Sequence, residues 1–354
     1  MGKIIAGKIE GYNFYSIREV LEKGFNSLEF HPFKKKVLLK PNLLKASPPE
    51  NAVTTHPCIV DALSSILRDY SCEIYIGDSP GYESTAKVLK RSGYTDVIAR
   101  YNIKISSFNK KIFKRINGIS PYKEFIMGED PNDYEIIINL PKLKSHTMMG
   151  LTLGVKNTFG FIHSLHKAKW HLRAGKSREI FARTLIDIHR IVNPSITILD
   201  GIIGMDGDGP SNGRPRDFDL ICISKDAFIL DHYIERLIGL RHRLPVTEEA
   251  LKHSIIDEYE VEEYGHILIR DFIMPGTMMD TDWAIPGRIK GLLRGFFIKK
   301  PRLKKDICQG CGLCRDICPA KAIRFNNETP FFDYKSCIRC YCCQEMCPKG
   351  AIKV

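Results

Sequence analysis

Long apolar runs are missing from this 354-residue chain: no stretch reaches the roughly 18 apolar residues that a membrane span requires. The opening segment, MGKIIAGKIEGYNFYS, lacks the apolar core of a secretion signal, so a cytoplasmic location is expected. No dinucleotide fingerprint is present. MDGDGP at 205–210 comes nearest, but Pro210 and a polar stretch to Asp217 follow where a helix should open. Acidic residues are absent from 286–305, where eight Lys/Arg interleave with Leu292, Leu293, Phe296 and Phe297. That stretch reads as a basic linker, either solvated or serving as a docking surface for a partner or an anionic membrane.

Cysteine, by contrast, is plentiful, and nine of the twelve fall after residue 307. Eight of these form two copies of one spacing: Cys308, Cys311, Cys314 and Cys318 before Pro319, then Cys337, Cys340, Cys343 and Cys347 before Pro348. Each copy reads C-x2-C-x2-C-x3-C-P, the ligand run of two-cluster bacterial ferredoxins, in which the fourth cysteine serves the other cluster. Two [4Fe-4S] clusters are therefore expected. Cluster one takes Cys308, Cys311, Cys314 and Cys347; cluster two takes Cys337, Cys340, Cys343 and Cys318. A zinc site would show C-x2-C pairs separated by a longer gap. Gly310 and Gly312 let the backbone approach a cluster. Cys342, beside Cys343, reads as a packed bystander, and Cys58, Cys72 and Cys222 as buried small hydrophobes. The formal charge of +12 falls to about +8 once two clusters of about −2 each are counted. The excess suits an anionic small molecule or an acidic redox partner at least as well as nucleic acid, which is not the expected partner.

Residues 1–285 alternate β-branched runs with helical patterns. Strands are expected at 37–44, 73–81, 134–140, 195–201 and from 218, with helices at 56–70, 84–93 and 178–192. The last of these carries Phe181, Leu185, Ile188 and Val192 on one face. The pattern implies an α/β domain, a mostly parallel sheet with helices on both faces, ahead of a basic linker (286–305) and a small ferredoxin-like α+β domain (306–354). Ligands of such sheets bind beyond the carboxyl ends of the strands. Four polar loops fall there: Lys40 to Asn42, Gly77 to Gly81 with Asp78, Lys142 to His146 with Lys144, and Asp200 to Pro210 with Asp206, Gly207 and Gly209.

Within that set His146 and Lys156 are the candidate catalytic groups. A lysine between glycine-containing turns reaches an anion or a carbonyl, and a histidine among cations stays neutral as a base. Lys40, Asn42, Asp78, Lys142, Lys144, Asn157, Asp206, Gly207 and Gly209 are the candidate substrate contacts. The glycine loop at 204–209 reads as an anion nest, a cation site through Asp206 and Asp208, or a tight turn. His163, His166 and His171 read as a solvated helix face. Asp226 and Asp231 read as capping and pairing on their own helix.

The segments LLKPNLL (38–44), IGDSPG (76–81), PKLKSH (141–146), LTLGVKNTFGFI (151–162) and DGIIGMDGDGPSNGRP (200–215) resemble the family known as domain of unknown function 362. Many of its members end in a double-cubane ferredoxin domain. The resemblance implies an iron–sulfur protein with an α/β domain, some members being oxidoreductases or ferredoxin-like subunits. A fainter resemblance, to the N-terminal domain of nickel-pincer lactate racemases, rests on His146 preceding Gly154-Val155-Lys156 and implies kinship of fold only. The expected function is an iron–sulfur oxidoreductase acting on an anionic substrate or cofactor in the α/β domain. An electron-carrier or maturation subunit, and a non-redox isomerase with structural clusters, are the alternatives.

Overall fold

The structure, a computed structural model, describes residues 1–240, 242–278 and 298–354. The boundary expected at 285/286 and most of the basic stretch lie outside the described residues.

Among the described residues ten strands form one sheet. Along its main path the order is β12 (Tyr259–Tyr264), β1 (Gly2–Lys8), β11 (Arg214–Ser224), β10 (Ile196–Asp206), β7 (Ile136–Leu140), β2 (Lys36–Pro41), β3 (Glu73–Gly77) and β4 (Lys104–Ser106). Only β11 opposes its neighbours; the other seven run one way. Alternate residues feed opposite faces, as the strand's two-residue period demands. Val37 and Leu39 pack in one core with Ile17 and Leu21 of α1 (Phe14–Ser27) and Ile59 and Leu63 of α2 (Pro57–Asp69). Leu38 between them packs with Phe181 and Leu185 of α7 (Arg178–Val192). Both faces are thus covered, and the continuous apolar runs of the sequence follow from that. The helix starts are set locally: Pro57 occupies the first turn of α2 and Ser177 caps α7 through Ile180 N–H.

Two expected loops are strand. Lys142–His146 is β8, parallel to the outer half of β10, and turns back through β9 (Gly150–Thr152). It can pair because β10 runs past a bulge between Gly201 and Ile203 for eleven residues in all. Gly201 and Gly204, expected in a loop, are therefore inside β10, which ends at Asp206.

The C-terminal region folds as a two-fold repeat. Short helices at Leu313–Asp316 and Cys342–Met346 follow the second cysteine of each run, and the strand pairs Ile323–Asn326 with Thr329–Phe332 and Arg302–Leu303 with Ile352–Lys353 flank them. Gly310 and Gly312 have φ of +64° and +79°. Arg339 and Tyr341, at the same steps of the second run, have +61° and +60°. The second loop thus holds without glycine the left-handed turns that glycine makes easy in the first. Among the described residues no helix is long and apolar enough to cross a membrane.

Candidate functional site

Cysteine builds two cavities in the C-terminal region. Cys308, Cys311, Cys314 and Cys347 line one; Cys318, Cys337, Cys340 and Cys343 line the other. No cysteine is in a disulfide. Among the described residues no group of three or more His, Cys, Asp or Glu is arranged to hold a single metal ion. Each thiol set surrounds a cavity instead, and that donor chemistry fits an iron–sulfur cluster. Cys311 is exposed, whereas Cys340 and Cys343 are buried.

A third cavity, of about 120 Å³, lies between the large sheet and the C-terminal region. That is room for a small molecule rather than a lone water. Its floor comes from the carboxyl ends of β2 and β3 (Lys40, Asn42, Asp78), from the short helix α5 (Gly154–Asn157), and from Lys167 and His171 of α6 (Ser164–Ala174). Its roof is Cys342, Glu345 and Met346, with Ile317. Hydrogen bonds fix the roof to the large domain. Gln344 Nε2 donates to the Asp208 carbonyl at 2.7 Å, Thr147 Oγ1 donates to Gln344 Oε1 at 3.2 Å, and Asn212 Nδ2 donates to the Gln344 carbonyl at 2.8 Å. A side chain at Gly81 would collide with Met346 Sδ, so glycine there permits the close approach.

The floor's cations fall into two kinds. Lys40 is spent: it pairs with Asp78 at 2.9 Å, and Asp78 also accepts from Leu43 N–H and Ser79 N–H, each at 2.8 Å. Lys142 pairs with Asp200 at 2.8 Å and donates to Tyr12. Lys144 donates to Asn42 Oδ1 at 2.8 Å and to the Val53 carbonyl at 2.7 Å, and burial drives its pKa far down. Asn42 Nδ2 in turn donates to Asn157 Oδ1, and Asn157 Nδ2 to Asn139 Oδ1. These residues brace the floor.

Lys156 differs. It is only partly buried, because it faces the cavity; no hydrogen bond or ion pair holds its side chain among the described residues. Burial lowers its pKa, and Glu345 across the cavity opposes that shift. Lys167 donates to the Ser79 carbonyl, and burial brings it down to about 8. His171 stacks on Phe181 at 4.4 Å. Its Nδ1 has no partner, as is true of the Thr152 hydroxyl, and both residues line the cavity. Burial, then Lys156 and Lys167, holds His171 at about 3, so it is neutral near pH 7.

His146 sits behind this cavity rather than in its lining. Its Nδ1 accepts from Met148 N–H (3.1 Å) and Met149 N–H (3.2 Å), which leaves the neutral ring's proton on Nε2. Nε2 faces Glu345 at 3.9 Å and makes no hydrogen bond. Its pKa is far down, as expected, though burial comes first and Lys156 second rather than two flanking cations.

Of the eleven candidate contacts in the large domain, the structure brings Lys40, Asn42, Asp78, Lys156 and Asn157 to the cavity. It does not bring Asp206, Gly207 or Gly209. Asp206 is fully buried and clamped by Arg214 and Arg216, which removes it as a cation ligand. Gly207 bonds Ile273, and Gly209 packs on Ser145. The histidine trio is not a solvated face either, since His163 and His171 are buried. Asp231 reaches off its own helix, α8 (Ala227–Ile238), to accept from Gly154 N–H (2.7 Å) and Val155 N–H (3.0 Å), while Asp226 caps α8. Lys167 and Glu345 are cavity residues that the sequence did not single out, and Thr152, His171 and Cys342 stood in its motifs without a site role. The one cue was the unusual density of histidine at 163–171 and of thiols at 340–343.

The profile of a domain of unknown function, DUF362, matches residues 37–235. The chain belongs to the DUF362 family. A 4Fe-4S dicluster domain matches residues 300–348, so this DUF362 protein carries an iron–sulfur-binding region at its C-terminal side. Thylakoid-associated protein sll1697 of Synechocystis sp. is 29% identical over 294 residues, covering 80% of this chain and 90% of the relative. Among solved structures, the lactate racemase apoprotein of Thermoanaerobacterium thermosaccharolyticum aligns with a TM-score of 0.41 and 11% identity, over 66% of this chain and 57% of that one. A Thermotoga maritima protein aligns with 0.41 and 14%, over 63% and 58%. The DUF362 chain thus spans less than two thirds of either solved protein.

Proposed function

We propose that this DUF362 protein is an iron–sulfur oxidoreductase that holds a small anionic substrate in the cavity between its α/β sheet and its cysteine-rich region. The observation that carries the reading is the shared cavity: unpaired Lys156 on the floor, and the helix between Cys340 and Cys347 as the roof. A cation buried without a counter-ion is costly and is relieved by a bound anion. Two [4Fe-4S] clusters, held by the two cysteine sets, would supply one-electron transfer there.

The chain's own residues do the rest. Lys156 and Lys167 hold the anionic group, and Thr152 Oγ1 and His171 Nδ1 meet its remaining polar atoms. Glu345 reaches the cavity from the roof, with His146 Nε2 behind it at 3.9 Å. Met346 and Ile317 keep water out. The electrons come from a low-potential donor protein, for which the exposed edge at Cys311 is the accessible side.

The test is anaerobic turnover of cluster-loaded protein, with reduced methyl viologen as donor and a panel of small carboxylates and phosphates as acceptors. Donor oxidation dependent on one of these anions, and lost in Cys311→Ala, supports the reading. Substrate conversion that persists in folded Cys311→Ala would move the protein to a non-redox isomerase. Conversion only in the presence of a co-purifying enzyme would make it a carrier subunit.

A further inference from the structure

We propose that Cys342 is a substrate-contacting thiol, standing in the partition between the second cysteine set and the anion cavity and ligating neither cluster. The inference rests on the anion-site reading and refines it. Among the described residues, Cys342 is the one that lines both the cavity of Cys318, Cys337, Cys340 and Cys343 and the cavity of Lys156. No described residue is shared between the anion cavity and that of the first cysteine set. The two cysteine sets are therefore inequivalent toward a ligand: the second abuts it through Cys342, and the first does not.

The internal repeat sharpens the point. Gly312 and Tyr341 share the left-handed conformation that opens each short helix, so Leu313 and Cys342 occupy the same step. The thiol appears only in the copy that faces the cavity. The second run already has its Cys337, Cys340 and Cys343 at ligand spacing without it. Adjacent helical residues diverge by about 100°, so Cys342 leaves the helix in a different direction from Cys343 and borders the anion cavity, which Cys343 does not line. Across the cavity the Thr152 hydroxyl and His171 Nδ1 are buried and unpartnered, at 2% and 7% exposure, and they mark where a polar ligand belongs.

Alkylation with reagents of different charge tests this without requiring turnover. Cluster-loaded protein, kept anaerobic, is treated with iodoacetate or with iodoacetamide, and the modified thiols are mapped by mass spectrometry. In either reaction a sulfur–carbon bond forms, the carbon–iodine bond breaks, iodide leaves and the thiol proton passes to solvent. The cationic cavity should make Cys342 react with iodoacetate faster than with iodoacetamide, by roughly fivefold, while Cys222 stays unmodified. Lys156→Gln should narrow that preference, and Cys342→Ser should retain wild-type iron and acid-labile sulfide. An unmodified Cys342, equal or reversed rates in wild type, a preference indifferent to Lys156→Gln, or loss of about half the iron in Cys342→Ser (two equal clusters) would each overturn the proposal. Absence of turnover with every acceptor tried would count against the oxidoreductase reading and leave this labelling pattern as it is.

Discussion

Lys156 stands beside a cavity with no carboxylate in hydrogen-bonding reach among the described residues, whereas Lys40 and Lys142 each have one. A charge-assisted hydrogen bond to a ligand is worth about 1.5–3 kcal/mol. Lys156→Gln should therefore weaken binding of a small carboxylate such as oxalate by roughly tenfold or more, seen by calorimetry, with little change in melting temperature. Lys167 gives the site a pH dependence. With a pKa of about 8 it is charged below that pH and neutral above it. Anion affinity should fall as pH rises through 8, and ligand binding itself moves the midpoint upward. His171, held at about 3, contributes no change near neutrality. A titration showing no loss of affinity toward alkaline pH would remove Lys167 from the site. Lys156 was legible in the sequence because it sits between glycines. Lys167 and His171 were not, because a polar face on an isolated helix looks the same whether it meets water or the underside of another domain.

Helix α5 is one turn long, too short to hold its shape unaided. Two features fix it: the carboxylate of Asp231 at its start, and the chain of amides from Asn139 through Asn157 to Asn42. Asp231→Ala should destabilise the protein by about 1–3 kcal/mol in urea unfolding, and should weaken oxalate binding as well, since Lys156 rides on that turn. Unchanged affinity in the folded variant would show that the turn sets itself. The longer elements were readable from pattern: α7 falls on the residues its 3.6-residue period marks out. The segments at 142–146 and 204–206 were read as loops because lysines, glycines and aspartate discourage a strand. They are strand because β10 continues past its bulge and offers β8 an open edge, a long-range fact that local composition does not carry.

For the whole molecule, the two cysteine runs are expected to exchange their last ligands. Cys318→Ala should expose Cys337, Cys340 and Cys343 to iodoacetamide while Cys308, Cys311 and Cys347 remain protected. Exposure of Cys308, Cys311 and Cys314 instead, with Cys347 still protected alongside Cys337, Cys340 and Cys343, would mean that each run serves its own cluster. Buried histidines give the fold an acid limit. His171 and His189 are held at about 3 by burial, whereas the unfolded chain takes up protons near 6.5. Stability should then fall as pH drops from about 6.5 toward 3, by up to about 1.4 kcal/mol per pH unit for each histidine, measured by denaturant unfolding. His189→Gln should lose part of that slope. The α/β sheet and the cysteine runs were visible in the sequence because each is written in short-range spacing. The joint between them was not, because Gln344 meets Asp208 across 136 residues. That joint has a consequence for enclosure. The wall that shuts off the cavity is covalently attached to the chain that supplies its base, so closing is a unimolecular event, indifferent to how dilute the protein is. A relative with the two parts on separate chains would enclose its ligand only when both were abundant.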